Sequence, residues 1–249
     1  MLTQALFDKL LQLRLPAFRD GLRTQQNNPQ YAELSFEERL ALLVDQECLR
    51  RQNNRLQRLL KAANFPFPAV LEDLYFSPGR GLERARVLEL AQGQWVQNHQ
   101  HLFVLGPTGA GKTYVSCALA TAAVRQGFPV RYFRTSRLLP QLAQARQQNT
   151  FHDLLQRLTK IPVLVFDDWL RDPLTPAQAQ DLLEILDDRF GQASLILASQ
   201  LPVAEWHVCI PNPTLADALL DRLVHNAHRL QLEGESQRKL RAIRSMPHT

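Results

Sequence analysis

The chain has 249 residues, of which 45% are hydrophobic and 21% are charged, and it carries a formal net charge of +5 at pH 7. These totals are typical of a soluble protein with one sizeable core and a smaller accessory domain, and no apolar run approaches the roughly 20 residues of a membrane span. The N-terminus lacks the apolar block of a signal peptide, and three isolated cysteines exclude a disulfide framework, so we predict a cytoplasmic protein without membrane contact.

The N-terminal region is predicted to be helical. Leucines recur at helical spacing from Leu6 onward, and Pro16 is expected to divide or bend that segment. Ser35 and Glu38 have the spacing of a capping box, which predicts the start of another helix. We therefore predict a helical domain over residues 1–63 for oligomerisation or for contact with DNA or a partner. Three arginines share one face of that helix, which is either a solvated surface or a binding face: Arg51, Arg55 and Arg58.

Residues 64–81 contain three prolines and two glycines and are predicted to link the helical domain to a second domain, residues 82–249. In that second domain, apolar strand-like segments alternate with helical segments. Nearly continuous apolar strands favour a parallel sheet with helices on both faces, which is an α/β fold. The predicted strands are residues 101–105, 130–133, 163–166, 194–198 and 229–232.

The first predicted strand leads directly into "GPTGAGKT", which has the pattern of a phosphate-binding loop. Its glycines allow backbone conformations that direct N–H groups at a phosphate, and the following helix adds its dipole. Lys112 supplies positive charge for the β- and γ-phosphates, and the Thr113 hydroxyl is suited to Mg²⁺. The sequence therefore predicts binding of ATP with Mg²⁺ by Gly106, Pro107, Thr108, Gly109, Ala110, Gly111, Lys112 and Thr113.

Two adjacent carboxylates follow the third predicted strand, in "VLVFDDWL". Phosphate-loop proteins need a carboxylate at the end of a neighbouring strand to hold Mg²⁺ through its water shell, and Asp167 is the natural partner. Asp168 lies one residue closer to the attacking water, so we predict that it acts as the general base. The alternative is that Asp168 only caps the next turn. Mg²⁺ and Lys112 would supply the positive charge that stabilises the two adjacent carboxylates.

Three further side chains are candidates for roles at the γ-phosphate. Gln200 is polar where the chain leaves the fourth strand, and it either orients the attacking water or forms a simple turn. Arg222, and after it Arg238, is a candidate to reach the γ-phosphate of a neighbouring subunit and stabilise transition-state charge. An ordinary surface role is the alternative for each arginine.

One stretch of the chain has only positive charges. From Leu90 to His152 there is no Asp or Glu, whereas one lysine and five arginines lie in that span. A segment with charges of one sign creates a field suited to phosphates, whether of a nucleotide, a nucleic acid or both.

Together these motifs resemble those of the IstB-like transposition helper ATPases, which are relatives of the helicase loader DnaC and the initiator DnaA within the AAA+ class. The phosphate-binding loop is common to many families. Other strings are more specific, and the similarity covers nearly the whole chain. It includes "LSFEERLALLVDQE", "DDWLRDPLTPAQAQDLLEILDDRF", "ASQLPVAEWH" and "DALLDRLVHNAHRLQLEGESQRK".

The resemblance implies a five-stranded αβα core with strand order 5-1-4-3-2, ATP between adjacent subunits, and oligomers on duplex DNA. It places the metal carboxylate at Asp167 and the sensor position at Gln200. Many AAA+ proteins have Glu where Asp168 stands, and the shorter arm leads us to expect slow hydrolysis. The resemblance also implies DNA contact around "RYFRTSRLLPQL", in agreement with the acid-free span; the candidates are Arg134, Arg137 and Arg146.

Three functions fit the sequence. The first is a Mg²⁺-dependent, DNA-stimulated ATPase that oligomerises on duplex target DNA and recruits the transposase of the same element. The second is a replicative helicase loader of the DnaC type, although the single cysteine and the lack of histidine before residue 64 exclude a zinc-dependent loader domain. The third is a scaffold that is held on DNA by ATP and barely hydrolyses it.

Overall fold

The structure is a computed structural model that describes residues 2–234. Contacts divide the chain into two compact units, Met1–Arg58 and Leu59–Thr249. The predicted linker, residues 64–81, belongs to the second unit, where its residues Ala69, Leu74 and Arg80 are buried. The domain limits drawn from the sequence therefore stay a prediction. Within the described part of the chain, no helix is both long and apolar enough to cross a membrane.

The first unit is built from helices. Pro16 is the first residue of a helix, as its fixed φ favours. The capping box is confirmed, because the Ser35 N–H donates to Glu38 Oε2 at 2.8 Å and the Glu38 N–H donates to Ser35 Oγ at 3.2 Å. The helices are α1 (Leu2–Gln12), α2 (Pro16–Asn27) and α3 (Phe36–Ala63), with a 3₁₀ turn at Pro29–Glu33; residues 59–63 of α3 are counted in the second unit.

The second unit contains a parallel sheet, five-stranded within the described residues. Its order is β2-β3-β4-β1-β5, which confirms the predicted order written from the opposite edge. The predicted strands are all present, although the last begins two residues earlier than expected. The bounds are β1 (His101–Leu105), β2 (Val130–Arg134), β3 (Val163–Asp167), β4 (Ser194–Ser199) and β5 (Ala227–Gln231).

Helices cover both faces of this sheet. One face packs against the apolar side of α6, which begins directly after the glycine-rich loop. The other face carries Phe103, Phe166 and Leu197, which join a core with the helices of that side. This arrangement confirms the αβα fold. The helices are α4 (Arg84–Ala91), α5 (Gln94–Gln97), α6 (Lys112–Arg125), α7 (Thr135–Gln147), α8 (Phe151–Thr159), α9 (Pro176–Arg189) and α10 (Pro213–Val224).

The strand order determines which chain segments meet. Strand β4 lies between β1 and β3, so the carboxyl ends of these three strands are side by side. The glycine-rich loop leaves β1, the polar pair Ser199–Gln200 leaves β4, and the two aspartates leave β3. Ligands of open α/β sheets bind at this edge, outside the carboxyl ends of the strands.

Candidate functional site

The glycine-rich loop has the backbone conformation that its sequence predicts. Gly106, Gly109 and Gly111 have φ angles of 145°, 84° and 96°, a region that favours glycine. A Cβ added at Gly106 would lie 2.4 Å from the carbonyl oxygen of Leu232, so a side chain has no room there. The loop passes directly into α6 at Lys112. This geometry places the loop directly before the N-terminus of α6, an arrangement that is suited to binding a phosphate.

Lys112 is buried, and its Nζ donates to the carbonyl oxygen of Pro107 at 2.9 Å. Burial lowers the pKa of Lys112, whereas the charges of Asp167 and Asp168 act in the opposite direction. The two carboxylates therefore favour the protonated lysine, which is the form that binds a phosphate.

Asp167 is the last residue of β3, and its carboxylate is enclosed by hydroxyl groups. The Thr113 hydroxyl donates to both carboxylate oxygens, at 3.1 and 3.0 Å, and the Tyr132 hydroxyl donates to Oδ2 at 2.7 Å. Burial and the bond to Asp167 raise the pKa of Tyr132, so its hydroxyl remains a donor at neutral pH. Thr113 and Asp167 thus present hard oxygen ligands side by side, a set that fits Mg²⁺ together with phosphate oxygens.

Asp168 has different partners from its neighbour. Its backbone φ is 55°, and its carboxylate lies 3.1 Å from Arg134 Nε and 3.8 Å from Arg171 Nη1. The side chains of Arg134 and Arg171 therefore supply part of the positive charge that stabilises the second carboxylate. From the sequence, only Mg²⁺ and Lys112 were predicted to supply it. The Asp168 side chain is only 19% exposed, yet Asp168 lines a pocket of about 870 Å³ in the second unit.

Trp169 fixes the turn that follows the two aspartates. Its side chain is buried and stacks on Phe166 with ring centroids 5.9 Å apart. Its backbone N–H donates to the Ala198 carbonyl at 2.8 Å, and its carbonyl accepts from Ser199 Oγ at 2.8 Å. The Ser199 hydroxyl therefore stabilises the turn after β3 through this hydrogen bond.

Gln200 lies against the phosphate-binding loop. Its side-chain oxygen accepts a hydrogen bond from Thr108 Oγ1 at 2.7 Å. Thr108 and Gln200 line the same pocket of about 870 Å³ as Asp168, and most of the predicted site residues line it too. The predicted residues that line it are Thr108, Gly109, Gly111, Lys112, Thr113, Arg134, Arg137, Asp168 and Gln200.

A second wall of this pocket is formed by the segment that the sequence predicted only as a linker. Phe67 stacks on Tyr114 of α6, with ring centroids 6.0 Å apart and an interplanar angle of 15°. Tyr75 and the buried Arg80 line the same pocket. Sequence analysis missed these residues and Tyr132; the cluster of aromatic residues among the prolines of residues 64–81 was the available signal for this wall.

Four predicted residues are neighbours of the lining residues without being among them: Gly106, Pro107, Ala110 and Asp167. Arg146, Arg222 and Arg238 are not among the lining residues either. Arg146 forms ion pairs with Asp181 and Glu184 at 2.8 and 2.5 Å, and its guanidinium lies 3.5 Å from the ring centroid of Phe151. Arg222 is paired with Asp187 and borders a separate cavity of about 210 Å³. Arg238 lies outside the described residues.

Comparisons with known proteins agree with the geometry of the site. A profile of the family described as IstB-like ATP binding protein matches residues 8–245. An insertion sequence ATP-binding protein of Sinorhizobium fredii is 41% identical over 239 residues, covering 96% of this chain and 98% of that protein. The ATP-binding protein of insertion sequence IS1162 from Pseudomonas fluorescens is 44% identical over 203 residues, covering 81% of this chain and 88% of that protein.

Solved structures with a similar fold are more distant in sequence. The crystal structure of DnaI has a TM-score of 0.58 and 19% identity, covering 71% of this chain and 93% of that one. DnaA of Aquifex aeolicus bound to AMPPCP has a TM-score of 0.58 and 15% identity, covering 74% of this chain and 57% of that one. At this level of identity the similarity concerns the fold alone, and it confirms that the core has the predicted fold.

Proposed function

Since this chain belongs to the IstB-like ATP binding protein family, we propose that it hydrolyses ATP with Mg²⁺, assembles on duplex DNA and recruits the transposase of its own insertion sequence. One observation carries the proposal: a single pocket joins the phosphate-binding loop to Asp168 and Gln200, with Asp167 bonded to Thr113 at its edge. These are the groups needed to bind a triphosphate and to activate water.

Each of these residues has a separate task in hydrolysis. Lys112 binds the β- and γ-phosphates, while Thr113 and Asp167 would hold Mg²⁺, which when bound would neutralise charge on the phosphates. Asp168 accepts the proton of the attacking water at a carboxylate oxygen, and Gln200 orients that water. In the structure Arg134 and Arg171 both pair with Oδ2 of Asp168, so the proposal assigns the proton of the water to the other oxygen, Oδ1.

DNA contact is proposed for the positive rim of the same pocket. Arg134 and Arg137 line the pocket from β2 and α7, and both side chains are exposed. Contacts of this kind bind phosphates without reading sequence, so DNA affinity should depend on salt. Arg146 is a weaker candidate because two carboxylates already neutralise its charge.

The partner and the assembly are proposals that rest on the relatives. Proteins 41% and 44% identical to this chain are named as ATP-binding proteins of insertion sequences, which supports a role beside a transposase. The helicase loader DnaC shares the fold at 18% identity and a TM-score of 0.55, which does not carry its function to this chain.

The proposal predicts that a variant without the phosphate-binding lysine will not assemble on DNA in response to ATP. For Lys112→Ala we expect ATP affinity to fall at least about tenfold, because a buried charge-assisted contact is lost. Sedimentation of the protein with labelled duplex DNA, with and without ATP and Mg²⁺, measures the assembly. Lys160→Ala is the matched control, since Lys160 is an exposed lysine outside the pocket.

ATP-responsive complexes of Lys112→Ala equal to those of the parent protein would contradict the proposal. The hydrolysis rate of the parent protein, measured with and without duplex DNA, separates the proposed ATPase from a scaffold that only binds. A rate that remains negligible in both conditions would favour the scaffold.

A further inference from the structure

Arg80 is a buried arginine beside the phosphate-binding loop for which the proposed chemistry gives no role. Only 5% of its surface is exposed, although it lines the nucleotide pocket. Buried arginines are rare because removing a guanidinium from water is costly unless its donors are satisfied. The buried position of Arg80 therefore implies that its N–H groups have hydrogen-bond acceptors within the protein.

The guanidinium of Arg80 joins the two walls of the pocket. Nη1 donates to the carbonyl oxygen of Tyr75, on the wall formed by residues 66–75. Nη2 donates to the carbonyl oxygen of Ala110 at 3.4 Å, inside the phosphate-binding loop. A charged donor makes such bonds stronger than those between neutral groups.

The backbone around Arg80 is anchored to the chain that follows β5. The carbonyl of Arg80 accepts from the Glu233 N–H at 2.8 Å. A Cβ added at Gly81 would lie 2.2 Å from the carbonyl oxygen of Gln231, so the two segments are in close contact. Leu232, between these residues, donates its N–H to the Leu105 carbonyl at the end of β1. The backbone that carries the Arg80 side chain is therefore held in place by these contacts.

The hydrogen bond from Arg80 to the Ala110 carbonyl also orients the N–H group of Gly111. A trans peptide is planar, so its C=O and N–H point in opposite directions, and the chain has no cis peptide among its described bonds. Holding the carbonyl of Ala110 therefore directs the Gly111 N–H away from Arg80. Glycines on both sides, Gly109 and Gly111, would otherwise let this peptide rotate easily.

We propose that Arg80 is a positioning residue for phosphate binding: it holds the Ala110–Gly111 peptide so that the Gly111 N–H is presented to the β-phosphate of ATP. This inference rests on the proposed nucleotide site and adds a specific role outside the glycine-rich motif. Arg80 acts through the peptide, and Lys112 acts beside it by its own charge and by its bond to the Pro107 carbonyl.

The first test measures binding of three ligands to the full chain: MgATP, MgADP and magnesium tripolyphosphate. For Arg80→Met we expect the affinity for all three to fall about tenfold or more, because each places a phosphate against the Gly111 N–H. Arg80→Lys keeps the charge but loses the planar fork, so it should recover part of the affinity. Arg84→Met, at an exposed arginine, is the matched control and should bind like the parent protein.

The ligand series distinguishes positioning from a direct contact. A loss that spares only MgADP would assign Arg80 to the γ-phosphate, and a loss that spares only tripolyphosphate would assign it to the nucleoside. Either result would overturn the proposed role. If the parent protein itself bound none of the three ligands, the nucleotide site would fail, whereas unchanged binding by Arg80→Met beside a binding parent would refute only the role of Arg80.

The second test observes the peptide directly. Ala110–Gly111 is the only Ala-Gly pair in the sequence. Protein labelled with ¹³C-carbonyl alanine and ¹⁵N-glycine therefore gives one carbonyl-linked amide signal in an NMR spectrum. We expect Arg80→Met to shift and broaden this signal while Arg84→Met leaves it unchanged. An unaltered Gly111 signal in a folded Arg80→Met protein would overturn the proposal.

Discussion

Asp167 and Asp168 are adjacent in the sequence, but their carboxylates have separate partners. Asp167 continues the strand and accepts hydrogen bonds from Thr113 and Tyr132. Asp168 has a left-handed backbone conformation, with φ at 55°, and its carboxylate meets Arg134. Repulsion between two like charges is reduced because each carboxylate has its own donors or cations. This division supports the proposed roles, which are metal binding for Asp167 and proton transfer for Asp168.

Asp168→Asn should therefore abolish turnover while ATP binding is retained. Asparagine has nearly the same shape and tolerates a positive φ better than alanine, so the turn should persist. Loss of a general base lowers kcat by about 100- to 10,000-fold. Single-turnover hydrolysis and equilibrium ATP binding, measured on the same sample, separate the two effects.

Asp172→Asn is the control for this experiment. Asp172 is another carboxylate that pairs with Arg171, and its side chain is 70% exposed. It should hydrolyse ATP at the parent rate. Unchanged hydrolysis by Asp168→Asn would return Asp168 to the alternative of a turn residue.

Sequence motifs could predict most of the phosphate site but not its supporting contacts. Lys112 and Thr113 were predicted from one short motif and the paired aspartates from another, because the local spacing within each motif indicates its chemistry. Tyr132 reaches Asp167 only because β2 and β3 pair in a particular register, with Arg134 opposite Asp167. Arg80 reaches Ala110 across 30 positions of the chain. Such contacts depend on tertiary structure, which local patterns do not encode.

At the scale of secondary structure, the apolar strands and the capping boxes were predictable because each is a local pattern. The predicted box at Ser35 forms, and a second capping box forms between Thr175 and Gln178 at the start of α9. The cap of α2 was not predictable, because it comes from another helix. The carboxylate of Glu47, on α3, accepts from the backbone N–H groups of Ala17 and Phe18 at the start of α2.

Glu47 is consequently a charged link between two helices of the first unit. The hydrogen bond from Arg50 lowers the pKa of Glu47 to about 2, with further help from Arg51 and the α2 backbone, while burial opposes the shift. Because the folded-state pKa lies below the unfolded value of 4.5, the stabilisation is present above pH 4.5 and is lost as pH falls toward 2.

Glu47→Gln should lower the free energy of unfolding at neutral pH by about 1–3 kcal/mol, the cost of removing a buried charged acceptor. The difference between variant and parent should shrink at about pH 3, because below pH 4.5 the unfolded chain takes up a proton at Glu47 that the folded protein does not. Denaturant unfolding followed by circular dichroism at both pH values measures it. Asp45→Asn, at an exposed position of the same helix, should show no such change. A constant difference at both pH values would exclude the ionised carboxylate as the cause.

At the scale of the whole molecule, the location of Arg222 bears on the proposed action of one subunit on the ATP of its neighbour. The carbonyl of Arg222 lies 3.2 Å from His101 Nε2, at the start of β1, whereas the phosphate-binding loop leaves the other end of that strand. Five residues of strand, at roughly 3.3 Å each, separate the two ends by on the order of 13 Å. Arg222 is therefore remote from the phosphates of its own subunit, and a catalytic role would require a neighbouring subunit.

A mixing experiment tests this role. Arg222→Ala and Asp168→Asn should each be inactive alone, because the first lacks the transition-state cation and the second lacks the base. In head-to-tail oligomers of equal parts, about a quarter of the interfaces would combine an intact Asp168 with an intact Arg222 from the neighbour. We expect ATP hydrolysis in the mixture to recover to a comparable fraction of the parent rate, measured at saturating ATP on duplex DNA. Arg157→Ala, at an exposed arginine of α8, should keep the parent rate alone. A mixture as inactive as its two components would show that Arg222 does not act across subunits.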